Sequence, residues 1–197
     1  LMWLKRHRPE QWAKAGYFFD LADFITWRAT GVNARSRCTM TAKWNYLAHE
    51  EKPWSESFLA AIGLEDVRGR GALPEETVPV GAAVGRLSEE AAEALGLDRH
   101  CVVAAGLIDA YAGTLGVLGP FAGEPEALER QLALIGGTSS CIVAFSRAEK
   151  FGLGLWGPYY GAVLPGWWLV EGGQSATGAL LDHVVRAHSA GGAPTAA

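Results

Sequence analysis

An aspartate in the middle of the chain follows a short apolar run and could act as a general base. Residues 101–106 (CVVAAG) are continuously apolar, as in a buried strand, and Asp109 comes just after them. A carboxylate one step beyond a buried strand lies at the edge of a sheet, where it can accept a proton from a bound hydroxyl. Aspartate is also among the best helix N-caps, so on this motif alone a structural cap is the commoner explanation.

A glycine pair followed by three hydroxyl residues, GGTSS at 136–140, could hold a phosphate. Glycines in a hairpin let backbone N–H groups approach an anion closely, and the hydroxyls of Thr138 and Ser139 add donors. The stretch is neither a Walker A sequence nor a G-x-S-x-G motif, because it lacks the lysine of the first and the second glycine of the other. An ordinary polar hairpin explains the same residues, and this alternative stays open.

Two further places carry side chains that suit a sugar or a phosphate. In EGGQSATG at 171–178, the glycines let a ligand approach the start of the next helix, whose N-terminus favours anions. Glu171, at the strand end, could hold sugar hydroxyls. Lys43-Trp44 places a cation beside an aromatic ring, a pairing that suits a carbohydrate. A plain strand-to-helix turn, and a solvated lysine next to a core tryptophan, are the structural alternatives.

The elements that must position these groups are helical in the first part of the chain. Helices are predicted where apolar residues recur at helical spacing, or where a capping residue precedes the pattern and a glycine follows it. They cover residues 1–7, closed by Pro9; 12–31, with Asp20 as cap and Gly31 as end; 55–62; 88–96; and 111–118. A polar segment, 33–42, leads to Lys43, and the Gly- and Pro-rich segment 69–85 is expected to be a loop.

The second part of the chain has a strand-and-turn pattern. Strands are predicted at 132–135, 141–146, 159–163 and 167–171, and a helix opened by Gly172-Gly173 at 174–187. A cluster of aromatic residues is expected to be core: Trp156, Tyr159, Tyr160, Trp167 and Trp168. Gly, Pro and Glu replace the apolar pattern within 119–130, so we place the boundary between two domains there.

Composition narrows the class of protein. The chain has 197 residues, 49% hydrophobic and 19% charged, which suits one full domain or two partial ones. A net charge of −4, with basic residues scattered apart from KRHR at 5–8, argues against a nucleic-acid surface. Three widely spaced cysteines argue against a disulfide framework or a zinc site and favour a cytoplasmic location. No apolar run reaches the roughly 18 residues of a membrane span, and no signal peptide is recognisable.

Six of these segments resemble, in order and spacing, the FGGY carbohydrate kinase family, most closely its D-ribulokinase-like (pentulose kinase) branch. They are 18–31 (FFDLADFITWRATG), 35–44, 107–110 (LIDA), 137–141 (GTSSC), 156–160 (WGPYY) and 171–178. The resemblance runs from Leu1 to about His188. Agreement of six motifs in the same order leaves little room for chance.

The resemblance implies an α/β fold of the ribonuclease-H-like (actin-like ATPase) kind, with two domains around a cleft that closes on ATP and sugar. Residues 1–120 would be the C-terminal part of the sugar-binding domain, and 128–197 the N-terminal part of the nucleotide-binding domain. The implied reaction is phosphorylation of a D-ribulose-like ketopentose at a terminal hydroxyl by ATP with Mg²⁺. By motif, Asp109 is implied as the general base.

The same resemblance assigns the other site residues. Lys43 and Glu171 fall where related ribulokinases bind the ketose, together with Asp109. Gly137, Thr138 and Ser139 fall in the loop that meets the nucleotide phosphates, and Gln174 lies next to it. No metal ligand is assigned. The partners implied are a small-molecule sugar and neither nucleic acid nor membrane, and a homodimer is compatible with this interpretation.

The chain also departs from the branch. Tyr111 and Ile142 stand where histidines are usual in the branch, and both positions are expected to affect which sugar is preferred. The family's amino-terminal Asp-x-Gly-Thr loop and its later adenosine-binding segment are absent, and the chain opens at Leu1 in mid-helix style. We therefore expect an internal fragment with no measurable kinase activity of its own, which turnover of ATP with D-ribulose would refute.

Two other classes of protein compete with a kinase. The first is a non-catalytic, actin-like sugar sensor, which the retained Asp109 disfavours. The second is a hydrolase built on Ser139 or Cys141, although no suitably patterned histidine lies near either residue in sequence.

Overall fold

The computed structural model describes residues 1–188, which combine helices with a two-stranded and a four-stranded sheet. The chain divides into two compact units, and each is described by itself. The first comprises residues 1–108 and 159–166, and the second comprises 109–158 and the chain from 167 onward. The low-complexity stretch at 189–197 lies outside the described residues.

The first unit is mainly helical. Its helices and strands, in chain order, are α1 (Met2–His7), α2 (Pro9–Lys14), α3 (Leu21–Thr30), α4 (Arg37–Lys43), α5 (Glu56–Ala61), α6 (Val67–Arg70), β1 (Ala83–Arg86), α7 (Glu89–Leu95) and β2 (Val102–Ala104). Strands β1 and β2 pair antiparallel. The core of this unit is a cluster of large apolar side chains: Trp12, Met40, Tyr46, Trp54, Leu59, Leu64, Val67 and Leu73.

The helices with clear local signals form as predicted. Ser88 Oγ accepts a hydrogen bond from the Ala91 amide at the start of α7, and Gly96 ends that helix in the left-handed conformation. Gly31 ends α3 in the same way, with φ of 74°. The predicted helices 55–62, 88–96 and 111–118 are therefore confirmed to within a few residues.

Three predictions for the first unit are wrong, and one helix was not predicted. Residues 12–31 do not form one helix, because a non-helical stretch at 15–20 separates α2 from α3. Asp20 does not cap α3, because its carboxylate accepts from the indole N–H of Trp44 instead. The polar segment 33–42 contains helix α4, which Ser36 caps by accepting from the Cys38 amide. The apolar run at 101–106 forms β2, but the strand is not buried: Val102 is 57% exposed, since β2 pairs only with β1.

One charged group, the Asp66 cluster, ties the first helices to α6. The Asp66 carboxylate accepts from Lys5 Nζ at 2.8 Å, Trp12 Nε1 at 2.9 Å and Arg70 Nε at 3.2 Å. Burial raises the pKa of Asp66, but these three donors lower it by more, so the carboxyl group has a pKa well below its ordinary value. The cluster is a structural feature of this unit.

The second unit is built on a four-stranded sheet. The elements from residue 109 onward, in chain order, are α8 (Asp109–Leu118), a 3₁₀ turn (Gly119–Phe121), α9 (Pro125–Leu128), β3 (Ala133–Gly136), β4 (Ser140–Ser146), β5 (Trp156–Tyr160), β6 (Trp168–Gln174) and α10 (Thr177–Ala187). The last two residues of β5 belong to the first unit. The strand order is β3-β4-β6-β5, and β3-β4 and β4-β6 are antiparallel. Helix α8 packs on β3, where a Cβ at Gly113 would lie 3.1 Å from Ile135.

Three predictions for the second part of the chain need correction. The strand predicted at 159–163 is β5, which ends at Tyr160 because Gly161 has a positive φ of 66° and begins a turn. Helix α10 begins at Thr177 rather than at Gln174, because β6 continues to Gln174, which pairs with Ser140 of β4. The aromatic cluster is only partly core: Trp167 is buried, but Trp156 is 57% exposed. Within residues 1–188, no helix combines the length and the apolarity that crossing a bilayer requires.

Candidate functional site

A cavity of about 450 Å³ in the second unit collects all the predicted site residues except Lys43. Its wall is formed by the start of α8, the 136–140 turn between β3 and β4, and the end of β6. The predicted residues in the wall are Asp109, Gly137, Thr138, Ser139, Glu171 and Gln174. A general base, a glycine-hydroxyl turn and a second carboxylate therefore face one space.

Asp109 is the first residue of α8 and is exposed. One carboxylate oxygen, Oδ1, accepts from the Ala110 amide at 2.7 Å. That contact fixes the orientation of the group, but it is not the usual N-cap bond, which reaches an amide two or three residues further on. Within residues 1–188 the other oxygen has no protein partner, so it is free to accept a proton from a ligand.

Helix α10 braces the 136–140 turn. The Gly137 amide donates to the Ser139 carbonyl at 2.8 Å and closes the turn. The amides of Gly178 and Ala179, at the start of α10, donate to the carbonyls of Gly137 (3.1 Å) and Thr138 (3.4 Å). The expectation that the start of this helix offers its N–H groups to an anion is therefore wrong for these two amides, which hold the turn instead.

The brace depends on the absence of a side chain at Gly178. A Cβ there would lie 2.4 Å from the Gly137 carbonyl oxygen, so the helix can approach the turn only with glycine at this position. A hydroxyl pair adds to the contact, since Ser140 Oγ lies 2.7 Å from Thr177 Oγ1. The exposed groups of Thr138 and Ser139 are thus presented on a fixed turn.

Glu171 is half-buried on β6 and has a thiol neighbour. Cys141 Sγ on β4 donates to Glu171 Oε2 at 3.2 Å, and both residues line the cavity. The indole of Trp156 lines it as well. Sequence analysis missed Trp156 as a site residue. The signal that could have found it is the glycine pair Gly172-Gly173, because a strand glycine often marks the close approach of another group.

The charge of the cavity bears on whether it suits a nucleotide with Mg²⁺. Its described lining carries two carboxylates, Asp109 and Glu171, and no lysine, arginine or histidine. Among residues 1–188, no three His, Cys, Asp or Glu side chains cluster closely enough to hold a metal ion by themselves. This fits Mg²⁺ that arrives with phosphates, since that ion keeps several waters and needs only one or two carboxylates.

Lys43 lies in the first unit, at the end of α4, and lines a different cavity of about 800 Å³. Asp23 of α3 positions α4, because its carboxylate accepts from the Ser36 amide at 2.8 Å and from the Thr39 hydroxyl. Burial raises the pKa of Asp23, and those hydrogen bonds act in the opposite direction. The wall of this cavity is largely aromatic: Tyr17, Phe18, Phe19, Phe24, Trp27 and Trp44.

Neither residue that departs from the branch lines the 450 Å³ cavity. Tyr111 is 2% exposed within α8, and Ile142 is an exposed residue of β4. Tyr111 and Ile142 are therefore not expected to contact a ligand in this cavity.

Comparison with family models finds two consecutive matches. Residues 1–116 match the "FGGY family of carbohydrate kinases, N-terminal domain", and residues 132–197 match the C-terminal domain of the same family. The compact units part after Ile108, whereas these matches part between 116 and 132. The division into domains 1–120 and 128–197 stays a prediction.

Two curated relatives illustrate the similarity. The chain is 49% identical over 200 residues to the "FGGY carbohydrate kinase domain-containing protein" of Danio rerio, covering 96% of this chain and 36% of the relative. It is 36% identical over 219 residues to a D-ribulokinase of Saccharomyces cerevisiae, covering 96% of this chain and 30% of that protein. The chain thus spans about a third of the length of these relatives.

Solved structures share the fold. The xylulose kinase from Lactobacillus acidophilus superposes with a TM-score of 0.73 at 21% identity, covering 94% of this chain and 35% of that one. The xylulose kinase from Rhodospirillum rubrum gives a TM-score of 0.70 at 23% identity, with coverage of 94% and 35%. The predicted actin-like fold class, present here as partial domains, is confirmed.

Proposed function

Because the chain belongs to the FGGY family of carbohydrate kinases, we propose that it provides the catalytic base and the phosphate-binding turn of an ATP-dependent sugar kinase. The proposed acceptor is a terminal hydroxyl of a D-ribulose-like ketopentose. The single observation that supports this most strongly is that Asp109 lines the same cavity as the 136–140 turn and Glu171. The name of the yeast relative supports the choice of sugar.

In this proposal, each residue of the cavity has a distinct task. Asp109 takes the proton of the attacking hydroxyl on its free oxygen while that hydroxyl oxygen bonds to the γ-phosphorus and the bond to the ADP oxygen breaks. The turn, through Gly137, Thr138 and Ser139, offers hydroxyl and amide donors to phosphate oxygens. Glu171 accepts hydrogen bonds from sugar hydroxyls. Lys43 of the first unit and Gln174 are proposed as further contacts to sugar and nucleotide.

The negative charge of the lining makes a divalent cation important to this proposal. A bare polyphosphate would be repelled by Asp109 and Glu171, because the described lining offers no basic side chain in compensation. Mg²⁺, bound to ATP, supplies the neutralisation of phosphate charge that phosphoryl transfer requires. The residues of this chain then contribute positioning and proton transfer.

The test is Asp109→Asn in the complete gene product that carries these residues. Loss of the base is expected to lower kcat for D-ribulose by about 10²–10⁴-fold, while the affinity for ADP stays within about twofold. Asp182→Asn is the matched control, because Asp182 is an exposed aspartate of α10 that does not line the cavity. Coupled measurement of ADP release gives kcat, and calorimetry gives the affinity.

The outcomes separate the competing classes of protein. An unaltered gene product that binds D-ribulose without releasing ADP would support the sugar sensor and overturn the kinase. Equal kcat values for Asp109→Asn and the unaltered protein would refute the role of the base. The described lining of the cavity does not support a hydrolase, since it includes no histidine beside Ser139 or Cys141.

A further inference from the structure

We infer that Trp156 is a stacking platform for the sugar in this cavity and, with Glu171, determines which sugar it accepts. This rests on the proposed function and adds a specificity-determining residue to it. Three observations carry the inference: the register of β4 and β6, the position of the indole ring over Gly173, and the thiol that orients Glu171.

The register places the relevant groups on one face of the sheet. Cys141 of β4 lies opposite Gly173 of β6, and Val143 lies opposite Glu171. Since side chains alternate between faces, Cys141, Glu171 and the bare position of Gly173 point to the same side. That side is the wall of the cavity.

The indole ring occupies the place of the side chain that Gly173 lacks. A Cβ built on Gly173 would lie 2.8 Å from Cζ3 and 3.1 Å from Cη2 of Trp156. The six-membered ring therefore rests directly on the strand, and only glycine permits this approach. Trp156 is nevertheless 57% exposed, so a large part of the ring remains open to a ligand.

Glu171 lines the same cavity as that ring, and one of its carboxylate oxygens accepts no hydrogen bond from the described residues. The Cys141 thiol donates to Oε2 at 3.2 Å, which orients the carboxylate while leaving Oε1 for a hydroxyl donor. An aromatic face beside an oriented acceptor matches a sugar, whose C–H groups pack on the ring while its hydroxyls donate to the carboxylate. The adenine of a nucleotide is the competing occupant, because it too can stack on an aromatic ring.

The experiment measures D-ribulose and ADP affinity by calorimetry on the complete gene product that carries these residues. Trp156→Ala is expected to weaken D-ribulose binding about tenfold, equivalent to about 1.4 kcal/mol, and to change ADP affinity by less than about twofold. Trp156→Phe keeps a smaller ring and is expected to lose only about twofold to threefold. Leu153→Ala is the matched control, because Leu153 is a fully exposed apolar residue close in sequence that does not line the cavity.

A second substitution tests the platform without removing the ring. Gly173→Ala pushes the indole away from the strand, so it is expected to weaken D-ribulose binding about as much as Trp156→Ala. If the ring mediates this effect, the variant with both substitutions binds D-ribulose as tightly as Trp156→Ala alone. Such non-additivity is expected of two residues that act through one contact. Circular dichroism of every variant checks that the fold is retained. If Trp156→Ala does not fold, the two single variants Trp156→Phe and Gly173→Ala provide the test.

The results distinguish failure of the inference from failure of the proposed function. Unchanged D-ribulose affinity in Trp156→Ala, or a larger loss of ADP than of D-ribulose affinity, overturns the platform and leaves the kinase proposal standing. Absence of D-ribulose binding by the unaltered gene product at millimolar sugar overturns the sugar site itself, and the platform with it.

Discussion

Replacing Gly178 by alanine tests whether helix α10 holds the 136–140 turn in place. The added Cβ would lie 2.4 Å from the Gly137 carbonyl oxygen and 3.2 Å from its carbon, about 1 Å closer to the oxygen than ordinary contact allows. Both atoms belong to the backbone, so no side chain can rotate away to relieve the overlap. The start of α10 must separate from the turn.

The magnitude follows from what that separation breaks. Two backbone hydrogen bonds join α10 to the turn, from the Gly178 amide to the Gly137 carbonyl and from the Ala179 amide to the Thr138 carbonyl. Each contributes about 0.5–1.5 kcal/mol, so their loss costs about 1–3 kcal/mol. Alanine is favoured over glycine in a helix by about 1 kcal/mol, which offsets part of this cost. We therefore expect a net destabilisation of up to about 2 kcal/mol.

Urea unfolding followed by circular dichroism measures the effect, and Gly116→Ala provides a control of opposite sign. Gly116 lies in α8 with nothing within 4 Å of its built Cβ, so alanine there is expected to stabilise by up to about 1 kcal/mol. A rise in the urea midpoint for Gly178→Ala, matching that of Gly116→Ala, would refute the brace. A fall in the midpoint with weaker ADP binding would support its role in positioning the turn.

Two further predictions concern titratable groups of the first unit. The pKa of Asp66 is lowered in the folded state, so its contribution to stability is complete above the unfolded pKa of about 3.9 and is lost as pH falls below that value. In Asp66→Asn, the free energy of unfolding measured with urea is expected to fall less steeply with acid than in the unaltered chain. An unchanged pH dependence would contradict the role of the cluster. Burial raises the pKa of Cys38 to about 12. Iodoacetamide at pH 8 is therefore expected to label the exposed Cys101 but not Cys38, as followed by mass spectrometry. Equal labelling rates for the two cysteines in the folded chain would contradict the burial of Cys38.

Local signals in the sequence were enough to predict elements whose stabilising contacts are themselves local. Helix α7 carries its serine cap and its terminal glycine within a few residues, and the 136–140 turn joins two strands that are neighbours in both sequence and space. The joint presence of Asp109, the turn and Glu171 in one cavity was anticipated only through the resemblance to a family, because no local pattern specifies which segments meet.

The errors arose where contacts between distant segments decide the structure. Helix α4 forms within a polar segment because Asp23 of a preceding helix accepts hydrogen bonds from its first turn. Strand β6 extends to Gln174 because β4 offers it a partner up to Ser140. The position of the Trp156 ring over Gly173 is a contact between segments that no periodicity along the chain reveals.

The bonds that Asp23 makes have a consequence for moving the Lys-Trp pair between proteins. Helix α4 is anchored at its beginning by a carboxylate from α3, so the direction in which Lys43 leaves α4 is set by a residue outside its own segment. Grafting Lys43 and Trp44 alone onto another scaffold would transfer the cation without the contacts that orient it. A graft that is to keep the orientation of Lys43 must include Asp23 and the start of α4, and therefore both α3 and α4.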